Sequence, residues 1–356
     1  MPTSAVPREL ANADGGRTTV VFAGHLLHFA RPLIEHLRSD PRYDVLVDSW
    51  QGHSVHDESS SQSCLDGADV IFCEWCLGNA VWYSKRKRPG QRLLVRLHRQ
   101  EYFGSNRPQY LEKVDWEAVD AAIAIAPYFR DELRATGLVR PERVHLIPNL
   151  FDTARFERPK PADARFQLGV VKYTPMRKRP DLAIEIFERL KDSEPRFRLT
   201  FVDKSPDLKP WVSSRPTERA FLTRFLGSLD VSRHRSSISF HDHTDDMPAW
   251  FSRIGILLST SDSEGSHQAV AEGMASGAVP IIRNWPGAER LYPSRYVFTS
   301  VDQAVERIRW ATDRHRFRKL SVLAKNWACS RFDTRFVAPR IIQLFREPRH
   351  RSGHPG

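Results

Sequence analysis

The chain has 356 residues, 40% hydrophobic and 27% charged, a balance that suits two ordinary globular domains or one large one and excludes a mostly disordered or fibrous protein. No apolar run approaches the roughly 18 residues of a membrane-spanning helix. The opening MPTSAVPRELANADGGR lacks the cationic start and apolar stretch of a secretory leader, so a cytoplasmic protein is expected. Lys and Arg outnumber Asp and Glu by 54 to 43, a formal +11, which favours anionic partners.

In chain order, TTVVFAGH reads as a strand ending at Gly24, and LLHFARPLIEHLRS as a helix with Leu27, Ile34 and Leu37 on one face. Strand-like runs follow at YDVLVDS, ADVIFCE, RLLVRLH, AAIAIA and RVHLIPN, separated by helix-compatible stretches. Apolar runs alternating with helices indicate a parallel sheet covered on both faces. FERPKPADARF, from Phe156 to Phe166, is rich in proline and charge and reads as a linker. Beyond it the same grammar resumes. FQLGVVKY, FRLTFVD, SSISFHD, RIGILLST and AVPIIRN are strands, DLAIEIFERLKD and HQAVAEGMASG are helices, and helical patterns fill Val301 to Phe345. The expected organisation is an N-terminal α/β domain over 1–160 and a second over 161–330. A helix over about 330–346 packs back on the first domain, and a basic tail occupies 347–356. Ligands of such doubly wound sheets bind beyond the carboxyl ends of the strands.

The segment STSDSEGSHQAVAEGMASGAVPIIRNWPGAE, Ser259 to Glu289, carries the most chemistry. A strand ends near Leu258, a small polar loop follows, and a helix starts near Ser266 or His267. A helix N-terminus offers unpaired N–H groups and a positive dipole end to a phosphate, and Gly265 lets a backbone approach closely. Glu264 then faces whatever the phosphate carries, and Glu272, two turns on, reaches hydroxyls further along the ligand. Taken alone, an E-x7-E pair also fits a helix cap and a surface glutamate.

Other features have plainer readings. Cys73-Glu-Trp-Cys76 matches C-x-x-C, yet it sits in a buried strand and no second C-x-x-C completes a zinc site; Cys64, Cys73, Cys76 and Cys329 read as ordinary thiols. His241-Asp-His243 with Asp245 and Asp246 resembles a metal cluster only superficially, and no metal is expected. Trp75, Trp82 and Tyr83 follow a strand end, where they stack on a sugar or pack in the core.

The Ser259–Glu289 segment resembles the retaining glycosyltransferases of the GT-B fold, in particular glycosyltransferase family 4 (glycosyl transferases group 1). The E-x7-E pair, ASGAVP from Ala275 and PGAE from Pro286 match that family's continuation. LIPNLFD, PMRKRPDLAIEIF and DDMPAWFSRIGILLSTSDSEG extend the likeness over about 140 residues of the second half. The resemblance implies two Rossmann-like domains facing across a cleft and transfer of a sugar from a nucleotide-sugar to a hydroxyl of a glycan or lipid-linked acceptor, with retention. It implies no metal and no cofactor, and a role in bacterial cell-surface polysaccharide or glycoconjugate synthesis. Arg177 and Lys178 then neutralise the donor diphosphate, Glu264 contacts the sugar and Glu272 the ribose. The amides of Gly265, Ser266, His267 and Gln268 hold phosphate oxygens, His98 lies against the donor sugar, and Gly24 occupies the position of a glycine-rich loop.

Three rival functions remain open at this point: a non-catalytic subunit of the same fold, a sugar-nucleotide epimerase, and a nucleic-acid-binding protein. The last is suggested by the charge but unsupported by any helix-turn-helix, zinc-finger or RRM signature, so no specific nucleic acid is expected. The run Lys85–Arg88 is the expected point of contact with an anionic inner membrane face.

Overall fold

The computed structural model describes residues 16–205 and 209–346; the tail expected at 347–356 lies outside them. The chain divides into two compact units. One comprises the residues up to Ile123, Thr136–His145 and the residues from Ile341 on, and the other comprises Ala124–Ala135 and Leu146–Arg340.

The first half alternates β1 (Thr18–Gly24), α1 (Arg31–Arg38), β2 (Tyr43–Ser49), α2 (Glu58–Gly67), β3 (Val70–Glu74), α3 (Gly78–Arg86), β4 (Arg92–Leu97), α4 (Asn106–Gln109), β5 (Ala121–Ala124), α5 (Pro127–Ala135) and β6 (Val144–Leu146). Its strands line up β2-β1-β3-β4-β5-β6. VIFCE and AAIA are buried at every residue, as interior strands of a parallel sheet must be. The edge strand β2 instead leaves Leu46 and Val47 exposed. The order reverses at β1, which has β2 on one side and β3 on the other, so the carboxyl ends of β1 and β3 flank the switch point. Within this unit Arg92 Nη2 donates to the Leu344 carbonyl (2.8 Å) and Arg346 Nη2 to the Tyr43 hydroxyl (3.1 Å).

The second half carries β7 (Gln167–Val171), α6 (Pro180–Ser193), β8 (Arg198–Asp203), α7 (Pro210–Ser213), α8 (Pro216–Asp230), β9 (Ile238–Asp242), α9 (Met247–Arg253), β10 (Ile256–Ser259), α10 (Gln268–Ala275), β11 (Val279–Arg283), α11 (Ala288–Leu291) and β12 (Val297–Phe298). Three helices close it: α12 (Val301–Ala311), α13 (Arg314–Phe332) and α14 (Thr334–Leu344). The strand order is β12-β11-β10-β7-β8-β9, with β7 and β10 paired in parallel, Leu168 beside Ile256 and Val170 beside Leu258. Here the reversal falls between β7 and β10.

The proline-rich stretch expected to be a linker belongs wholly to the second unit. Lys160 is the reason: its Nζ donates to the carbonyls of Phe251 (2.6 Å) and Ile254 (2.7 Å) and to Ser276 Oγ (3.1 Å). Proline and charge in sequence imply a solvated connector; three hydrogen bonds from one lysine pin it instead. The run Lys85–Arg88 also differs from a free basic face. Lys87 is buried against Asp120 (2.8 Å), Arg86 pairs with Glu58 (3.3 Å) and Arg88 with Asp66, which leaves Lys85 alone outside a pair.

Backbones approach closely where β10 begins. A Cβ on Gly255 would collide with the carbonyl oxygen of Ala164, and one on Gly273 would lie 2.5 Å from Leu257 Cδ2. Because the first obstacle is backbone, it cannot swing aside. Gly255→Ala is expected to cost about 2–4 kcal/mol, read as a lower urea midpoint at unchanged slope.

Candidate active site

The switch point between β7 and β10 brings together two loops, 172–179 and 260–267. Lys178 and Glu264 form a buried ion pair, Nζ to Oε1 at 2.6 Å, each only 6% exposed. Arg177 Nη1 stands 3.1 Å from the same oxygen and donates to the Ser263 carbonyl (2.6 Å). Ser261 Oγ adds a third donor to Glu264 at 2.7 Å. Thr260 Oγ1 to the Lys178 carbonyl (2.9 Å) and Asp262 N to the Arg177 carbonyl (2.8 Å) stitch the loops together.

The electrostatics follow from this packing. Burial alone would raise the Glu264 carboxyl, but Lys178, His267 and Arg177 overcome it and hold it well below the usual range. Burial pulls Lys178 down to about 8, Glu264 restoring part of the loss. His267 is held down to about 3, by burial first and then by Lys178 and Arg177, so its ring is neutral at pH 7. Ser259 Oγ lies 2.7 Å from Nδ1 and Lys178 Nζ 3.4 Å from Nε2. Since the lysine can only donate, Nδ1 carries the ring proton and donates to the serine.

The helix α10 starts at this pair. Its N-cap is His267, in the left-handed region at φ 47°, and no side chain caps the first turn. That leaves a helix dipole end and backbone amides beside Lys178, an arrangement suited to an anion. The loop leading into it is fixed from behind, with the Tyr292 hydroxyl donating to the Ser266 carbonyl (2.6 Å) and Asn149 Nδ2 to Ser266 Oγ (3.4 Å). Gly265 joins Glu264 to this loop. Two turns on, Glu272 accepts from Gln268 Nε2 (2.8 Å); burial pushes its pKa up to about 7, against smaller opposing effects of Gln268, Lys172 and Arg155.

At the end of β7, Lys172 is exposed and left-handed, φ 66°. It adds to the positive potential on Lys178 and His267. From sequence it has no assigned role, although it is the first charge after an apolar strand. Arg179, at φ 49°, binds Asp181 through Nε (3.0 Å) and Nη2 (2.7 Å) and so orders the start of α6, while Asp262 also draws Arg179 and Arg283. Among the described residues the non-glycine positions with positive φ are Trp75, Lys172, Arg179 and His267, all in loops beyond strand ends. Such backbone costs on the order of 1 kcal/mol each and concentrates at functional sites.

In the first unit, His98 follows β4 and is only 3% exposed. Its Nε2 lies 2.6 Å from Glu74 Oε1, and Arg96 contacts Oε2 of the same glutamate through Nε (2.8 Å) and Nη2 (2.6 Å). Burial would raise Glu74, but Arg96 and His98 keep it below the ordinary value. Glu101 Oε1 accepts from the backbone N–H groups of His98 (3.0 Å) and Cys76 (3.1 Å). Phe29 stacks on the imidazole (4.9 Å between centroids), and Trp75 tilts against it (3.9 Å). Trp75 is itself half-buried and left-handed at φ 71°. Gly24 has a packing reason: a Cβ there would sit 2.6 Å from the Glu74 carbonyl oxygen.

The sequence did not single out Glu74 and Arg96. The available signal was a charge inside each of two apolar strands, and the register places these residues side by side. Trp82 and Tyr83 are core residues, the Tyr83 hydroxyl donating to Asp48 (2.8 Å), which leaves Trp75 as the half-exposed ring. Cys73 and Cys76 are buried free thiols, and burial pushes both well up, the reverse of what a reactive thiolate needs. Asp246 caps α9 through Ala249 N (3.1 Å) and pairs with Arg158. Among the described residues no group of three or more His, Cys, Asp or Glu is placed to hold a metal ion, and no helix is long and apolar enough to cross a membrane.

No family model matches the chain, and no curated protein does. Solved structures do. HepE (Alr3699) of Anabaena, in complex with UDP and glucose, superposes with a TM-score of 0.71 at 14% identity, covering 93% of this chain and 100% of that one. A glycosyltransferase of Rickettsia africae gives 0.71 at 11%, covering 92% and 98%. Sucrose-phosphate synthase of Thermosynechococcus elongatus gives 0.68 at 16%, covering 93% and 98%. The chain has the GT-B fold. Its two Rossmann-like sheets each present loops at a switch point, and at such low identities the likeness extends to the fold alone.

Two outcomes test the geometry. Glu74→Ala strands the Arg96 charge and should cost about 3–5 kcal/mol, whereas replacing both residues by Met should recover most of that; urea titration of the three proteins checks it. For Glu272, a folded pKa of about 7 lies above the ordinary 4.5, so the folded chain binds a proton that the unfolded chain releases, and stability falls as pH rises between those values. Glu272→Gln should therefore be more stable than wild type at pH 8, by on the order of 1–3 kcal/mol. The gain should vanish near pH 4, as thermal melts across pH would show.

Proposed function

We propose that the protein is a glycosyltransferase that moves a sugar from a nucleoside-diphosphate sugar to a hydroxyl group. The observation that carries this reading is the buried Lys178–Glu264 pair at the uncapped start of α10, with Glu272 two turns along. Cation, amides and distal carboxylate stand in the order that diphosphate and ribose require. The Glu272 carboxylate supports the same view, since a group that lowers stability above pH 7 is retained for something other than folding.

In this reading the amides from Gly265 to Gln268 bind phosphate oxygens. Lys178, Arg177 and Lys172 balance the charge that grows as the sugar–phosphate bond breaks, electrostatic stabilisation with no metal required. Glu264 holds Lys178 in place and reaches the sugar, and neutral His267 adds no competing charge. His98, oriented by Glu74, supports the developing positive charge on the sugar, and Trp75 offers a ring to the acceptor. The acceptor oxygen forms its bond to the anomeric carbon from the side the diphosphate leaves, with retention, and its proton passes to a departing phosphate oxygen. We read the enzyme as belonging to glycosyltransferase family 4. Its acceptor is then a glycan or lipid-linked hydroxyl in cytoplasmic synthesis of bacterial cell-surface polysaccharide or glycoconjugate.

The test is calorimetry and thermal shift with UDP, GDP, CDP and ADP, without added metal, on wild type, Lys178→Ala and Glu272→Gln. Saturable binding of one nucleotide is expected, weakened about tenfold or more by either substitution, the loss typical of a charge-assisted hydrogen bond. Absence of binding to all four would refute the reading and bring the non-catalytic subunit forward.

A further inference from the structure

Two stretches carry positive charge without matching acids: 85–99, with seven Lys or Arg and no acid, and 314–346. Between Arg314 and Arg346 stand nine Lys or Arg and one Asp, a formal +8. The single carboxylate, Asp333, is buried and holds Thr153 and Arg335. The density peaks in the first turns of α13, where Arg314, Arg316, Arg318 and Lys319 are all exposed, and no carboxylate among the described residues forms a salt bridge with any of them. Asp313, immediately before, is committed to capping α13 through Arg316 N (2.9 Å). The nearest other acid in sequence is Glu306, a turn before Trp310.

The same surface exposes apolar side chains. Val322 is 57% exposed, Leu323 38%, and Trp310, at the end of α12, 52%. Val322 and Leu323 follow Lys319 at three and four residues, so they share its face of the helix. The Arg316 guanidinium lies over the Trp310 ring at 5.0 Å. Phe317, Leu320 and Trp327 pack inward on the core, so the outward face is this mixture of cations and large apolar groups.

We propose that the outer face of α13, with Trp310, docks this protein on an anionic lipid bilayer. Four unpaired cations gain from the surface potential of acidic headgroups. Trp310, Val322 and Leu323 gain by entering the boundary between headgroups and acyl chains, as apolar residues beside Lys and Arg do on interfacial helices. A nucleic-acid backbone would satisfy the cations but give Val322 and Leu323 nothing, which is why the bilayer is the favoured partner. The surface uses none of the residues assigned above to the nucleotide, and the contact is peripheral because α13 is too polar to enter the bilayer core. The anionic contact expected at Lys85–Arg88 moves here, since three of those four residues are already paired within the fold.

The test is co-sedimentation of the full chain with phosphatidylcholine vesicles, with and without phosphatidylglycerol, at about 0.1 M salt, where charges act over about a Debye length of 10 Å. Wild type should sediment with the anionic vesicles only. Each cation removed should weaken partitioning roughly fivefold, so Arg314→Gln, Arg316→Gln, Arg318→Gln and Lys319→Gln combined should lose about two orders of magnitude or more. Val322→Ser with Leu323→Ser should weaken it while leaving its salt dependence intact. A control with Lys85→Gln, Arg86→Gln and Arg88→Gln should sediment as wild type, and all variants should keep the wild-type circular-dichroism melt. Failure of wild type to bind anionic vesicles would overturn the proposal. So would equal binding by the quadruple variant, or patch-dependent binding to a single-stranded oligonucleotide that is tighter than to vesicles.

Discussion

The second unit depends on a charge pair removed from water. Lys178 and Glu264 come from loops after different strands, and desolvating both ions is unfavourable unless their remaining hydrogen-bonding capacity is filled. Here Ser261 and Arg177 join Lys178 on the same oxygen, Glu264 Oε1, while the Thr260 hydroxyl and the Asp262 N–H, donating to the carbonyls of Lys178 and Arg177, lock one loop to the other. Neutral His267 follows from the same crowding, because a third positive charge beside Lys178 and Arg177 has nowhere to be solvated. The conformation of the loops, the protonation states and the free start of α10 are thus consequences of one buried contact.

The two units reach comparable ends by different windings. One sheet reverses after a single strand has been laid to one side, the other after two. Each nevertheless places a buried carboxylate against a cation at its switch point, Glu74 with Arg96 and Glu264 with Lys178, and each puts left-handed, non-glycine backbone beside it. Strain and buried charge both work against stability, and their coincidence at strand ends marks these loops as held in shape by the sheets.

Most strands were legible because interior strands of parallel sheets are unbroken apolar runs. The Rossmann-like architecture follows from VIFCE, RLLVRL, AAIA and their counterparts. Glu264, Glu272 and Lys178 were legible as a pattern because they sit in one small-residue segment and one basic loop. What escaped were residues whose partners lie far off in sequence. Glu74 and Arg96 look like strand punctuation until the register sets them side by side. Lys87 reads as one more solvated cation in a basic run, and only the fold brings Asp120 to it. Lys160 reads as linker charge because its acceptors, main-chain carbonyls about 90 residues onward, carry no side-chain signature.

The sequence separation across the Lys178–Glu264 contact has a kinetic meaning. Its partners stand 86 positions apart in the chain, and that interval contains β8, β9, β10 and the helices that cover them. Closing so long a loop is entropically unfavourable until the intervening strands have docked. The order of events therefore runs from sheet to site: β7 must find β8 and β10 before the two loops can meet. Synthesis imposes the same order, since a growing chain exposes Lys178 well before Glu264 is made, and the lysine remains solvated until its partner arrives.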